Sequence, residues 1–465
     1  MPETRTAIFR DLPKIDALLE SAEFEQLLTD FGRPLVTDET RRVVEAAREG
    51  IKAGKQLSAD SLSPTALTAC IQATLEKLLL PAQCRVINAT GVILHTSLGR
   101  APIAPSVAAK AIAEAAQYSC LELNRETGKR GDRDLLVNDL ITRITGAESA
   151  TVLNNNAAAT MIILNELAED KEVICSRAHM VEIGGSFRMP DVMRKARCKL
   201  VEVGCTNKTR AEDYEEAITE NTGMLLKVHT SNYAIVGFTH ETSIAELAEI
   251  GQRRNVPAIY DLGAGSLVDL EPYGVEGEPT VQKLLEDGAD LVCYSGDKLF
   301  GGPQAGIIVG SKELIDRIKK NPYYRMMRCD KVTLSLLEHT LKLYLNPENV
   351  IENIPTLRAI ARPAEGVLAE AEDIVAALKK AGIEATIEKA QSQIGGGSTP
   401  GENLPTHVVV IKSLGGSLDA ASKRLRLGTP SVFCRIEDDA LKFDPRSLLP
   451  GQEHELVEAI INARA

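Results

Sequence analysis

Residues 289–310 read ADLVCYSGDKLFGGPQAGIIVG. Two apolar runs, Leu291 to Tyr294 and Gly306 to Val309, have the length and apolar content of buried strands. Small and polar residues stand between them, beginning Ser295-Gly296-Asp297-Lys298. Strands buried on both faces, with polar residues at their carboxyl ends, belong to an open sheet whose ligands sit beyond the strand tips. Working outward, the pattern repeats at Ala258 to Tyr260, Leu225 to His229, Leu200 to Val203, Val173 to Ser176 and Thr151 to Leu153. Amphipathic stretches such as Ile244 to Arg254 and Val281 to Glu286 separate them. Short strands alternating with helices predict an α/β class with a mainly parallel sheet of seven strands, covered on both faces.

The chain has 465 residues, room for about three domains. Ahead of the alternating region, apolar residues from Ile15 to Phe31 recur three and four apart, Ser63-Pro64 has the form of a helix start, and Pro81 stops the helix bearing Leu75, Leu78 and Leu79. Residues 12 to about 80 are therefore expected to be helical. Behind it, a helical stretch at Leu334 to Leu345 leads to a region beginning near Pro355, with a helix through Ile374 to Lys380, a Gly-rich loop at Ile394 to Ser398 and a strand at His407 to Ile411. The expected organisation is an N-terminal helical domain (1–82), a large α/β domain (83–345) and a small C-terminal α+β domain (346–465).

Lys and Arg number 53 against 65 Asp and Glu, a net charge of −12, which argues against a surface that grips a polyanion all over. Aromatics are 4% and Trp is absent, which disfavours a base-stacking platform. Nine scattered cysteines without a CxxC pair disfavour both a disulfide framework and a zinc site, so no metal is expected. The charged N-terminus lacks a signal-peptide core, and no apolar run approaches the roughly 20 residues that span a bilayer. The expectation is a reducing cytoplasm and no membrane. Against the acidic background, positive charge gathers at Arg125 to Arg133 and at Asp316 to Lys331. The second island has six basic residues (Arg317, Lys319, Lys320, Arg325, Arg328, Lys331) and two acids (Asp316, Asp330). Such islands suit a small anion or a limited RNA contact.

Three strand ends carry candidate chemistry. Asp261 follows Ala258 to Tyr260 and is succeeded by Leu262-Gly263-Ala264-Gly265, small residues that allow close approach to the backbone. Lys298 follows the neighbouring strand. Asn154-Asn155-Asn156-Ala157-Ala158 follows the first strand and opens a helix whose unpaired amides suit a phosphate. A strand-end Asp alone reads as a helix cap and a loop Lys as a solvated charge. Jointly they are what pyridoxal 5'-phosphate needs: Lys298 for the Schiff base, Asp261 to keep the pyridine nitrogen protonated, and the helix start at Asn155, Asn156 and Ala157 for the phosphate, with Ser295 adding a hydroxyl.

Several blocks extend this reading: Gly91 to Arg100 (GVILHTSLGR), Glu126 to Gly131 (ETGKRG), Val181 to Arg188 (VEIGGSFR), His229 to Tyr233 (HTSNY) and Ser295 to Gly306 (SGDKLFGGPQAG). Over nearly its whole length the chain resembles bacterial selenocysteine synthases, the L-seryl-tRNA(Sec) selenium transferases, a family of fold-type-I pyridoxal phosphate enzymes. The resemblance implies that Lys298 is the Schiff-base lysine and Asp261 the pyridine partner. It also implies that Arg100, Arg325 and Arg328 form an anion pocket for selenophosphate, with Asp297 taking part. The implied activity converts seryl-tRNA(Sec) to selenocysteinyl-tRNA(Sec) by β-elimination of water and selenium addition to an aminoacrylyl intermediate. Implied partners are seryl-tRNA(Sec), selenophosphate and further copies of the chain, in a ring of dimers with the site completed across a dimer. The alternatives are a related pyridoxal phosphate lyase acting on a small amino acid or amino sugar acid, for which Arg435 could hold the carboxylate, and a catalytically silent tRNA-binding protein. The helical N-terminus favours tRNA, whose arms are recognised by shape. That region carries eleven basic and thirteen acidic residues up to Arg85, so any RNA contact must use one face.

The chain departs from the family pattern at Ser176-Arg177-Ala178-His179-Met180, where Ser-Arg-Gly-Glu is expected. His179 is a candidate to stack on the cofactor ring, or is satisfied by a loop carbonyl. Cys120, Cys205 and Cys434 also depart from it; burial is expected of Cys120 and Cys205.

Overall fold

The structure is a computed structural model, and it describes residues 13–53, 63–396 and 398–464. The chain divides into two compact units, Met1–Arg85 and Val86–Ala465. The described helices of the first unit are Ile15–Leu19, Glu25–Phe31, Arg33–Lys52 and Pro64–Leu79, joined by a short 3-10 turn at Ala22–Phe24. Ser63 caps the last, its Oγ accepting from the amide of Ala66 at 3.3 Å. Leu18, Phe24, Leu27, Val36, Val44, Leu67, Ile71 and Leu75 form this unit's own core. The expected helical span also covers residues 12 and 54–62, which lie outside the described residues.

In the second unit the strands are β1 (Val86–Asn88), β2 (Ser149–Leu153), β3 (Glu172–Ser176), β4 (Glu182–Ile183), β5 (Phe187–Arg188), β6 (Lys199–Val203), β7 (Thr222–Val228), β8 (Ala258–Gly263), β9 (Leu291–Ser295), β10 (Gly306–Gly310), β11 (Thr386–Gly395), β12 (Ser398–Ile411), β13 (Ser431–Phe433), β14 (Arg435–Glu437) and β15 (Ala440–Phe443). Seven of them form the central sheet in the order β2-β10-β9-β8-β7-β3-β6. All pairings are parallel except those of β10, which runs antiparallel to both β2 and β9. Two apolar clusters flank the sheet, one containing Val152, Ile174, Leu225, Val292 and Ile307 and the other Leu153, Val173, Leu226, Cys293 and Ile308. Neighbouring strand residues thus alternate between two buried faces, which is why each strand reads as a continuous apolar run.

Boundaries moved where hydrogen bonds outrun the apolar pattern. β8 continues through Asp261 to Gly263, so Asp261 lies within a strand, its carbonyl accepting from the His229 amide at 2.9 Å. Helix 334–345 is observed as Lys331–Tyr344, and helix 374–380 begins at Ala364. The strand expected at His407 starts at Ser398, because it pairs along most of its length with β11 in a largely polar hairpin. Gly397 lies outside the described residues. β11, β12, β15 and β14 form a four-stranded sheet. The helix Ala364–Lys380 packs on it through Ala371, Ile374 and Leu378. β1 joins the same core, pairing in parallel with β13.

Candidate active site

Because β10 is reversed, it starts at the edge where β2 and β9 end. Gly306 pairs with Leu153 on one side and Ser295 on the other, which brings the Asn154 turn and the Ser295–Lys298 turn together. Only glycine fits there: a Cβ at 306 would lie 2.1 Å from the carbonyl oxygen of Asn155 and 2.9 Å from the amide of Asn156. The helix Asn156–Ala168 begins at this turn, capped by Asn155 Oδ1, which accepts from the Ala158 amide at 2.9 Å. Its first amides have no partner within the helix and present partial positive charge.

Asp261 is buried on β8. Its Oδ1 accepts from Asn156 Nδ2 at 2.8 Å and its Oδ2 from Thr160 Oγ1 at 2.9 Å. Burial pushes the Asp261 carboxyl upward, against the pull of those two donors and of Lys298. Each carboxylate oxygen retains a lone pair for a further donor. Lys298, three residues beyond β9, is 7% exposed. Burial and the Arg100 guanidinium push its amine downward, opposed by Asp261, Asp297 and Glu278. A Cβ at Gly263, where φ is +75°, would sit 4.0 Å from Lys298 Nζ and 3.8 Å from Ser231 Oγ, so glycine keeps the space beside the amine open. Arg100 Nη1 donates to Asp297 Oδ2 at 2.6 Å, and the Ala101 amide donates to the Asp297 carbonyl at 3.2 Å. Arg100 itself sits at φ +61°, uncommon for a residue with a side chain.

A second polar layer crosses the neighbouring strand ends. His179, fully buried, has Nε2 2.9 Å from Glu241 Oε1, while Nδ1 is buried without a partner among the described residues. Its partner is a carboxylate, not the loop carbonyl that the sequence suggested, because Glu241 is drawn in by Lys227, which contacts the same oxygen and also donates to the Thr242 carbonyl at 2.7 Å. Burial raises the Glu241 carboxyl, but His179 and Lys227 outweigh it and bring it to about 2. Lys227 Nζ lies 5.8 Å from the Tyr260 ring, and Tyr260 OH lies 3.1 Å from His229 Nδ1. His229 Nε2 is 3.2 Å from Glu278 Oε2. One signal in the sequence pointed here: a lysine inside the apolar run Leu225-Leu226-Lys227-Val228 requires a counter-charge, which Glu241 supplies from a half-exposed position. Thr160, four residues after Asn156, also escaped notice.

Arg325 and Arg328 line a cleft of about 440 Å³ with Arg130, Arg133, Lys319 and Lys320, so the two basic islands form one site. Arg100 is not among the lining residues. Glu122 accepts from Arg133 at 2.7 Å and Arg130 at 2.9 Å, and lies 3.3 Å from Arg328. Arg328 Nε is buried with no partner among the described residues. Tyr324 OH, 2.8 Å from Thr151 Oγ1, ties the Pro322–Met326 turn to β2, and the Asn154 amide donates to the Met327 carbonyl at 2.9 Å. The arginine segment is thus attached to the phosphate-sized turn. Arg435 faces acids instead, Asp444 at 3.7 Å and Glu437 at 3.9 Å. Cys120 and Cys205 are exposed rather than buried, since both lie in loops outside the helices and strands, and Cys434 is intermediate. Among the described residues no group of three or more His, Cys, Asp or Glu could hold a metal, and no helix is long and apolar enough to cross a membrane.

A buried amine, a buried carboxylate with spare acceptor capacity and a helix start on one sheet edge match the aldehyde, pyridine nitrogen and phosphate of pyridoxal phosphate. Comparison with known proteins bears on the family of the whole chain. The family model described as L-seryl-tRNA selenium transferase matches residues 86–449, and one described as selenocysteine synthase N terminal matches 9–48. The L-seryl-tRNA(Sec) selenium transferase of Solidesulfovibrio magneticus is 45% identical over 98% of this chain and 97% of its own. Those of Haemophilus influenzae (44%; 95% of this chain, 97% of its own) and Carboxydothermus hydrogenoformans (42%; 95% of each) are similar in extent. Among solved structures, a D-glucosaminate-6-phosphate ammonia-lyase matches with a TM-score of 0.59 at 23% identity, covering 84% of this chain and 98% of that one. That likeness carries the fold, which is the fold-type-I arrangement implied by the sequence. The chain belongs to the L-seryl-tRNA selenium transferase family.

Proposed function

We propose that this chain converts seryl-tRNA(Sec) to selenocysteinyl-tRNA(Sec) with selenophosphate as selenium donor and pyridoxal 5'-phosphate as cofactor. The observation that carries the reading is the meeting of Lys298, Asp261 and the Asn155–Ala157 turn at one sheet edge. The bound cofactor supplies an electron sink for carbanion formation at the serine α-carbon. Lys298 anchors it, Asp261 holds a proton at the ring nitrogen, and the amides at Asn155, Asn156 and Ala157, with Ser295, take its phosphate. Asn156 and Thr160 fix the Asp261 carboxylate, and His179, steadied by Glu241, flanks the ring. Lys298 removes the α-proton and returns it once selenium is in place; its depressed basicity leaves more of it in the neutral form that can accept a proton.

Arg100, oriented by Asp297, acts with Arg325 and Arg328 to bind selenophosphate, whose charge their guanidinium forks match. Arg100 pairs with Asp297 near Lys298 of its own chain and is not among the residues lining the arginine cleft; on this reading Arg100 and the cleft act together in a homo-oligomer whose site is completed across a dimer. The three-part organisation, 1–82, 83–345 and 346–465, gives tRNA recognition to the helical N-terminus. A reducing cytoplasm suits nine unpaired cysteines. The test incubates the full chain with pyridoxal phosphate, selenophosphate and either seryl-tRNA(Sec) or free serine. Selenocysteine recovered on the tRNA is expected. Turnover of free serine alone would overturn the reading.

A further inference from the structure

Arg325 and Arg328 are only as well aimed as the segment that carries them. Arg325 is exposed, and its side chain makes no hydrogen bond or ion pair among the described residues, so its place in the cleft follows from the backbone of the Pro322–Met326 turn. Arg328 Nη1 lies 3.3 Å from Glu122 Oε1, and its Nε is buried without a partner among the described residues. The turn is anchored through the residue next to Arg325. Tyr324 OH donates to Asp134 Oδ2, and Thr151 Oγ1 of β2 donates to the same oxygen. Asp134 is 4% exposed, and Lys319 Nζ lies 3.6 Å from that oxygen. A buried carboxylate met by two hydroxyls and an ammonium is a fixed anchor, because losing a partner leaves buried charge unanswered. The adjacent Arg133 closes the other end, its Nη1 donating to the Cys329 carbonyl at 2.9 Å. One short turn, Arg133–Leu136, thus grips the chain one residue before Arg325 and one residue after Arg328.

We propose that Asp134 is a positioning residue, which through Tyr324 fixes the turn that aims Arg325 and Arg328 at the selenium donor. The proposal rests on the reading of that cleft as the selenophosphate site. Charge alone gives Asp134 the opposite effect. An acid lining a cleft for an anion repels the ligand, so removing it tightens binding unless its acceptor oxygen holds the cleft in shape. β2 does not depend on Asp134, because Thr151 is paired in the ladder with Ile308 of β10. Tyr324 lies in a five-residue turn with no such ladder. Loss of Asp134 therefore releases the arginine turn and leaves the Asn154 turn, at the end of β2, in place.

The test measures selenium transfer by the full-length, cofactor-loaded protein, with selenophosphate and seryl-tRNA(Sec) varied in turn. Tyr324→Phe keeps the ring and removes only the hydroxyl; Asp134→Asn keeps the shape and removes the charge. In each, KM for selenophosphate is expected to rise on the order of tenfold, while KM for seryl-tRNA(Sec) and the cofactor absorbance stay those of the parent. The double variant is expected to be no worse than the poorer single one, because both lose the same contact. A general loosening of the fold instead gives losses that add and moves every readout together. A lower KM in Asp134→Asn would mean that the acid merely opposes the anion, and it overturns the proposal. Unmoved KM in folded variants, or additive losses, overturn it too. Tyr324→Phe decides alone if Asp134→Asn does not fold. Arg325→Ala with normal turnover overturns instead the reading of the cleft beneath it.

Discussion

Replacing Asp261 with Asn isolates charge from shape. The carboxylate accepts from Asn156 Nδ2 and Thr160 Oγ1 at 2.8 and 2.9 Å. A hydrogen bond to a charged group contributes about 1.5–3 kcal/mol and a neutral one about 0.5–1.5, so two weakened bonds cost about 1–3 kcal/mol. Part is returned, because the substitution also removes a buried charge whose desolvation pushes its carboxyl upward. Asn156 Oδ1 is buried and has no partner among the described residues, so a flip of that amide gives the new NH2 group an acceptor. The net loss of fold stability is therefore expected to stay at or below about 2 kcal/mol, a melting temperature lower by a few degrees. Catalysis is expected to fall much further, by on the order of 10²–10³ in kcat, as for other preorganised electrostatic groups. The assay is selenium transfer to seryl-tRNA under saturating cofactor, with thermal melting and cofactor content alongside. A folded, cofactor-loaded Asp261→Asn protein with kcat within about threefold of the parent would refute the assignment of Asp261.

Gly306→Ala places a Cβ 2.1 Å from the Asn155 carbonyl, so cofactor affinity, followed by fluorescence titration, is expected to drop at least tenfold; unchanged affinity would separate this turn from the phosphate. Arg325→Ala and Arg328→Ala should each abolish selenium transfer while leaving cofactor absorbance intact, and normal turnover in both removes the cleft from the reaction. Glu241, held at about 2 in the fold against an ordinary 4.5, contributes stability that is present above pH 4.5 and lost as pH falls toward 2. Glu241→Gln should therefore flatten the acid limb of the stability curve measured by denaturant unfolding, whereas an unaltered limb would mean that His179 and Lys227 do not depend on it.

The seven strands were legible because a sheet buried on both faces leaves uninterrupted apolar runs, and Asp261 and Lys298 stood out as charges at the ends of such runs. The β11–β12 hairpin was hidden because its exposed, polar residues carry little periodicity, so only the apolar end from His407 was visible. Contacts between distant segments left no local trace. Arg100 meets Asp297, and Arg328 meets Glu122, across separations that no spacing rule reports. Glu278 lies in a Gly-Glu-Pro turn that reads as a solvated loop, and only the fold shows that it is buried against His229.

The central claim is that Lys298 carries the cofactor. Pyridoxal phosphate bound to the full-length protein would be reduced with borohydride, the protein digested, and the modified lysine located by mass spectrometry. The account predicts one phosphopyridoxyl group per chain, on Lys298. No adduct, or an adduct on another lysine with Lys298 unmodified, would contradict it.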